Sequence, residues 1–222
     1  MTSIGNDIVA LDHGNADRSG QYVFYSKVLT AFEKELYSQE RFPGLSFAHF
    51  VWLCWSIKEA SFKCIKRNQP HLLFSPQKIN IKALEPLPEP FLLKDGNCDW
   101  DIAAPETAFT GYCGTVGFGD MVVTAISRVY DTFISTIATV DAGSDTLCWG
   151  IRRIARTDPA HQSESVRLFV LERLRRSCPE DEIKIEKASA GYPVIVRNAE
   201  WTNMPLSFSH HHDLVAFSFL HP

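Results

Sequence analysis

The distribution of apolar residues along the chain sets its first elements. Ile4–Leu11 is a short aliphatic and β-branched run bounded by Gly5-Asn6 and His13-Gly14, the pattern of a buried strand. Between Val23 and about Glu40 the apolar positions Phe24, Val28, Phe32 and Leu36 recur every four residues, which predicts helix. Thr30 with Glu33 fits a capping box inside that stretch, so it reads as one helix or as two. Phe47–Ile65 predicts a further helix with a wide apolar face of Phe50, Leu53, Cys54, Ile57, Ala60, Cys64 and Ile65, stopped by Asn68-Gln69-Pro70. Lys78–Leu84 alternates as a half-buried strand. The proline-rich Glu85–Pro90 reads as a turn or edge connection. Glycines 111, 114, 117 and 119 read as turns before a hairpin of Val122–Ser127 and Phe133–Val140.

The same order then recurs. Thr146–Ile154 predicts a strand, Ser163–Arg176 a helix, Glu182–Lys187 an alternating strand, and Leu206–Ser209 with Val215–Leu220 a second hairpin. Laid over each other at an offset of 82, the segments 125–137 and 207–219 share only Ser127/Ser209 and Asp131/Asp213. The common order of elements carries the repeat more than the residues do. It predicts an α+β fold of two similar halves, residues 1–142 and 143–222, with the boundary near 141–145. Each half has a small antiparallel sheet packed by helices.

Composition narrows the class. The 222 residues suit one large domain or two small related halves, and 45% hydrophobic with 22% charged residues is ordinary for a globular chain. A net charge of −4 gives no reason to expect nucleic-acid binding. The six cysteines include no CxxC pair and several sit in apolar runs, as reduced core cysteines do. The stretch MTSIGNDIVAL has no basic region or signal-like core, and Phe47–Trp55 is too short to span a bilayer. The expected location is the cytoplasm.

Three features can carry chemistry. Asp7 lies among Ile4, Ile8 and Val9, where a carboxylate is costly to bury unless it is paired, hydrogen-bonded at a turn or bound to a cation. Lys58-Glu59 interrupts an apolar helix, and Lys63 lies four residues beyond Glu59, which puts Glu59 and Lys63 on one helix face. A plain surface ion pair has the same spacing. In His210-His211-His212 successive side chains diverge, so at most His210 and His212 converge. Donation from Ser209 and His210 to anionic oxygens uses that geometry better than a transition metal does.

Taken together, these segments resemble the 4′-phosphopantetheinyl transferase superfamily. Gly5-Asn6-Asp7-Ile8 matches its G-x-D-[IV] motif, and Trp55–Lys63 matches W-x-x-K-E-A-x-x-K without a departure. Ser207-Phe208-Ser209-His210 matches S-[IL]-S-H, preceded by a G-x-P-like Gly191-Tyr192-Pro193, and residues 29–37 resemble the F-T-x-x-E segment. The resemblance implies transfer of the phosphopantetheine arm of coenzyme A to a serine of an acyl carrier protein or carrier domain, with Mg²⁺ as cofactor and 3′,5′-ADP released. It implies metal binding by Asp7 and Glu59, catalysis by Glu59 and Lys63 with help from Lys58, and coenzyme A binding by Ser209, His210, Gly191 and Pro193. It also implies a pseudodimer with one site between its halves, acting as a monomer. Two positions depart from the pattern. Val9 stands where some members have a third acidic ligand, and Tyr192 stands where a basic residue is often found. Arg128, Arg152, Arg153 and Arg197 are candidates for holding the nucleotide end. The competing reading is a non-catalytic module of the same fold that binds carrier protein or coenzyme A.

Overall fold

Ser3–Ala10 (β1) is buried along its whole length, because each of its faces meets a different layer. The computed structural model describes residues 2–11, 20–87, 98–101, 108–140 and 147–220. Ser3, Gly5, Asp7 and Val9 alternate with Ile4, Asn6, Ile8 and Ala10, as the period of two requires. The first set faces the long helix Phe47–Asn68, and the second faces another sheet. Gly5 has no room for a side chain: a Cβ there would lie 2.6 Å from Cys64 N and closer still to the Ala60 carbonyl oxygen. That close approach is what the first glycine of the GND motif provides.

The helical stretch before it divides in two, Tyr22–Val28 (α1) and Ala31–Leu36 (α2), and the Thr30/Glu33 capping box is formed in both directions. The long helix (α3, Phe47–Asn68) starts on Ser46, whose hydroxyl accepts from His49 N, and overruns the expected end by one turn. Asn80–Leu87 (β2), Cys98–Asp101 (β3), Thr110–Phe118 (β4), Met121–Val129 (β5) and Phe133–Val140 (β6) follow. Three of the four glycines read as turns, Gly111, Gly114 and Gly117, lie instead inside β4. At Gly114 and Gly117 the lack of a side chain suits close packing on Ile57 and Leu84 and on Lys82, respectively. Gly119 alone holds a turn, with φ of 55°. Glu85–Leu87 continues β2 as an edge strand, where Pro86 needs no ladder donor on its outer side. Pro88, Pro90 and the boundary at 141–145 lie outside the described residues.

The second run comprises Leu147–Arg153 (β7), Pro159–Ser177 (α4), Ile183–Lys187 (β8), Pro193–Arg197 (β9), Glu200–Trp201 (β10), Leu206–His211 (β11) and Leu214–Leu220 (β12). The sheet orders are β1-β6-β5-β4-β2, β11-β12-β7-β3 and β10-β9-β8. β1-β6-β5 and β7-β12-β11 thus have the same order and antiparallel sense, and β2-β4 is echoed by β8-β9. One hairpin closes at Val129/Ile134 and the other at His211/Leu214, so the second loop is two residues shorter and a single offset does not hold across both strands.

Three apolar cores follow from this order. One lies between α3 and the five-stranded sheet. A second lies between that sheet and β7/β12, through Ile4, Ile8, Phe133, Ile137, Trp149, Ile151 and Ala216. The third lies under α4. The result is a mixed α+β fold with helices outside two sheets packed face to face. Among the described residues no helix is long and apolar enough to cross a membrane.

Candidate active site

β1 is the edge strand of its sheet, so Asn6 and Ala10 have no ladder partner on their outer side. β11 supplies side chains in place of a strand. Asn6 N donates to Ser207 Oγ (3.0 Å), Asn6 Nδ2 to Ser209 Oγ (2.9 Å), and Ala10 N to His211 Nδ1 (2.8 Å). The GND and SFSH segments, some two hundred residues apart in sequence, therefore meet directly.

Asp7 points to the other side of β1, toward α3. Its Oδ1 is 3.1 Å from Lys63 Nζ, and Glu59 Oε1 is 3.3 Å from the same nitrogen. Asn6 O also accepts from Lys63, at 3.0 Å. One ammonium thus sits against two carboxylates, and these lie within reach of a single cation. Burial pushes the Asp7 carboxyl up to about 7 against the opposing pull of Lys63, and Glu59 adds to the rise. Burial pulls the Lys63 ammonium down, but Asp7 and Glu59 more than offset it and hold it above its usual range. Asp7 Oδ2 is buried without a hydrogen-bond partner, a costly state for a carboxylate oxygen. His210 is held below its ordinary value first by burial and then by Lys63, while Glu59 opposes this. The imidazole therefore belongs to the same electrostatic neighbourhood.

Lys58 is not part of this cluster. Its ammonium is fully buried on the far side of α3 and spends its donors on Glu33 Oε2 (2.6 Å), Val28 O (2.8 Å) and Pro76 O (2.9 Å). Glu33 in turn accepts from Thr30 N and Ile81 N. The expectation that Lys58 assists the chemistry gives way to a structural role: it ties α1, α2 and β2 to the helix that carries Glu59. Nothing in the spacing of Glu33 and Lys58 announces the pair, although both stand in segments, 29–37 and 55–63, that carry the resemblance.

A cleft of about 300 Å³ opens beside the carboxylates. Lys63, Lys66, Arg67, Arg167 and Lys187 line it against a single acid, Glu186. Gly191, Tyr192 and Pro193 form its far wall, with Ser207 and Phe208 between. Gly191 has φ of 92°, which favours glycine, and lets the turn close over the cleft. Arg67 stacks on the Tyr192 ring at 4.8 Å and donates to Leu206 O at 3.1 Å, so a cation from α3 lies where the local motif offers a phenol. Ser207 lines the cleft, whereas Ser209 is turned to Asn6.

The four arginines considered from sequence are placed elsewhere. Arg128 is buried against Trp149 at 4.2 Å, Arg152 lies over Phe169 at 4.0 Å, Arg153 pairs with Asp213, and Arg197 pairs with Asp181. The basic residues at the end of α3 were missed, because in sequence they look like an ordinary helix C-terminal turn.

A family comparison bears on the same elements. The sequence model of the 4′-phosphopantetheinyl transferase superfamily matches residues 3–106. Over that stretch the chain is similar to that superfamily. It contains Asp7, Glu59 and Lys63, while β4 to β12, with SFSH, follow the matched stretch. No curated protein and no solved structure matches the chain. Members of the superfamily use coenzyme A and magnesium. The donor set here suits that ion: two carboxylates, one with a partnerless buried oxygen, are hard oxygen ligands, and magnesium commonly keeps several waters beside one or two carboxylates. Among the described residues no third His, Cys, Asp or Glu joins them.

Proposed function

We propose that the protein transfers 4′-phosphopantetheine from coenzyme A to a serine of an acyl carrier protein or carrier domain, as a holo-acyl-carrier-protein synthase does. The observation that carries this reading is the adjacency of the Asp7/Glu59/Lys63 cluster to a cleft rimmed by five cations. Coenzyme A has the complementary chemistry, a pyrophosphate linking a 3′-phosphorylated nucleotide to an uncharged arm. Arg67, Arg167, Lys66 and Lys187 would hold the nucleotide phosphates, and the turn at Gly191–Pro193 would bound the cleft around them.

In the transfer, the serine oxygen forms a bond to the phosphorus bearing the pantetheine arm, and the bond from that phosphorus to the bridging oxygen breaks. 3′,5′-ADP leaves with that oxygen, and the serine proton passes to Glu59. General-base help of this kind is worth about 10²–10⁴-fold. Lys63 stabilises charge on the departing phosphate, and the Ser207–His210 segment holds phosphate oxygens from the opposite wall. Asp7 and Glu59 would hold Mg²⁺, which supplies charge neutralisation at the pyrophosphate when bound.

The reading includes a pseudodimer of residues 1–142 and 143–222. Support comes from the repeated order β1-β6-β5 and β7-β12-β11, each carrying one long helix. The position in the first hairpin that matches His210 is Arg128, which is buried between the sheets. One site per chain follows, and with it a monomer. The expected carrier pathway is fatty-acid or polyketide synthesis, in the cytoplasm. The test is release of 3′,5′-ADP from coenzyme A and Mg²⁺. Release that depends on an apo carrier protein supports transfer. Coenzyme A binding without release, across a panel of carriers, would instead favour the non-catalytic module.

A further inference from the structure

Asn6, the middle residue of the GND segment, makes more contacts to the site than any role above requires. It is 2% exposed and lies on the face of β1 opposite Asp7. Its backbone N–H donates to Ser207, its carbonyl accepts from Lys63, and its side-chain amide donates to Ser209. Its Oδ1 has no partner, so the side chain is held by donation alone.

We infer that Asn6 is a positioning residue that fixes the anion-binding wall and orients its hydroxyls. This rests on the coenzyme A reading above. An amide nitrogen only donates, so Ser207 and Ser209 are both used as acceptors on the Asn6 side. Each serine has a single O–H, and neither proton is consumed by Asn6. The Ser207 proton, on the cleft wall, remains available for donation to a phosphate oxygen, a charge-assisted bond stronger than a neutral one, while the Asn6–Ser209 bond anchors the strand that presents it. Were position 6 an acceptor, Ser209 would spend its proton there. The Asn6 carbonyl also holds Lys63 on the same strand that carries Asp7. Asn6 thereby sets the cation and the hydroxyls of the two walls in one register.

The test is a double-mutant cycle on the full chain, reading the dissociation constant for coenzyme A by calorimetry and kcat separately. Asn6→Val suits a buried strand and removes the amide donor. It is expected to weaken coenzyme A binding about 10-fold with kcat reduced no more than about 2-fold. In the Ser209→Ala background the same substitution is expected to have almost no further effect, because the partner is gone. Asn6→Asp keeps the shape, replaces the donor with an acceptor, and covers the case in which the valine variant does not fold. Its loss of affinity should be at least as large. Affinity unchanged in a folded variant, or Asn6 and Ser209 effects that simply multiply, would overturn the inference. If wild-type protein binds no coenzyme A, the functional reading fails first and takes this inference with it. If wild type binds and transfers while the variants match it, only the role of Asn6 fails.

Discussion

Asp7 Oδ1 lies 3.1 Å from Lys63 Nζ, so a residue of the first strand is tied to a residue near the end of the long helix across the packed face between them. The pair places a buried carboxylate beside the helix that also presents Glu59 to the same ammonium. Everything proposed for the chemistry depends on that alignment of β1 with α3.

The pH dependence of stability follows from Asp7. Its carboxyl is raised from 3.8 to about 7 in the folded chain, chiefly by burial. Between those values the folded state holds a proton that the unfolded state has lost, so stability falls as pH rises through the window, by up to roughly 1.4 kcal/mol per pH unit. Above about 7 the loss is complete and the term is flat. Asp7→Asn lacks this term. Without added divalent cation, its stability relative to wild type should increase from about pH 4 to about pH 7, as read from urea unfolding at each pH. A constant difference across the window would contradict the assignment.

Gly5→Ala should destabilise the fold by roughly 3 kcal/mol or more, because the added methyl meets helix backbone rather than a flexible side chain. Urea unfolding measures it. Gly114→Ala, where the nearest atoms are the Ile57 and Leu84 side chains at 3.5 Å or beyond, is the control and should cost far less.

Lys58→Met leaves Glu33 as an unpaired buried carboxylate, and breaking such a pair from one side costs about 3–5 kcal/mol. Stability should fall by that order in denaturant unfolding. At a temperature where the variant is folded, its turnover should stay within a few-fold of wild type. A large loss of turnover in fully folded protein would return Lys58 to the chemistry.

The cleft predicts a different signature. Arg67→Ala removes a cation stacked on Tyr192 and should weaken coenzyme A binding about 10-fold, chiefly through KM. Arg197→Ala, whose guanidinium pairs with Asp181 outside the cleft, should leave KM unchanged. Steady-state kinetics with coenzyme A varied distinguishes the two.

Periodicity made α3 legible through its apolar face, whereas β1, buried on both faces, was legible as a short apolar run bounded by turn residues. The capping chemistry of Thr30 and Glu33 also marked the break between α1 and α2, which the apolar spacing alone ran through. Glycine misled in β4. There it marks close packing rather than reversal, and of the four glycines read as turns at 111–119 only Gly119 has the positive φ that a turn uses. Asp7, Glu59 and Lys63 stood out because charge in an apolar run needs a partner. Lys58 stood out for the same reason, but its partner is Glu33, a contact made by tertiary packing that no local spacing encodes. The cleft cations were hidden for the opposite reason. Lys66 and Arg67 at a helix C-terminus have an ordinary explanation in the helix dipole, and only the placement of β8, β9 and β11 makes them one wall of a cavity.

The most direct measurement is the intact mass of an apo carrier protein after incubation with this protein, coenzyme A and Mg²⁺, run beside Glu59→Gln. The account predicts one phosphopantetheine added per carrier by wild type, a rate lower by about 10²-fold or more for Glu59→Gln, and coenzyme A binding retained by that variant. No addition to carrier proteins of fatty-acid, polyketide and peptide synthesis, or equal addition by Glu59→Gln, would contradict it.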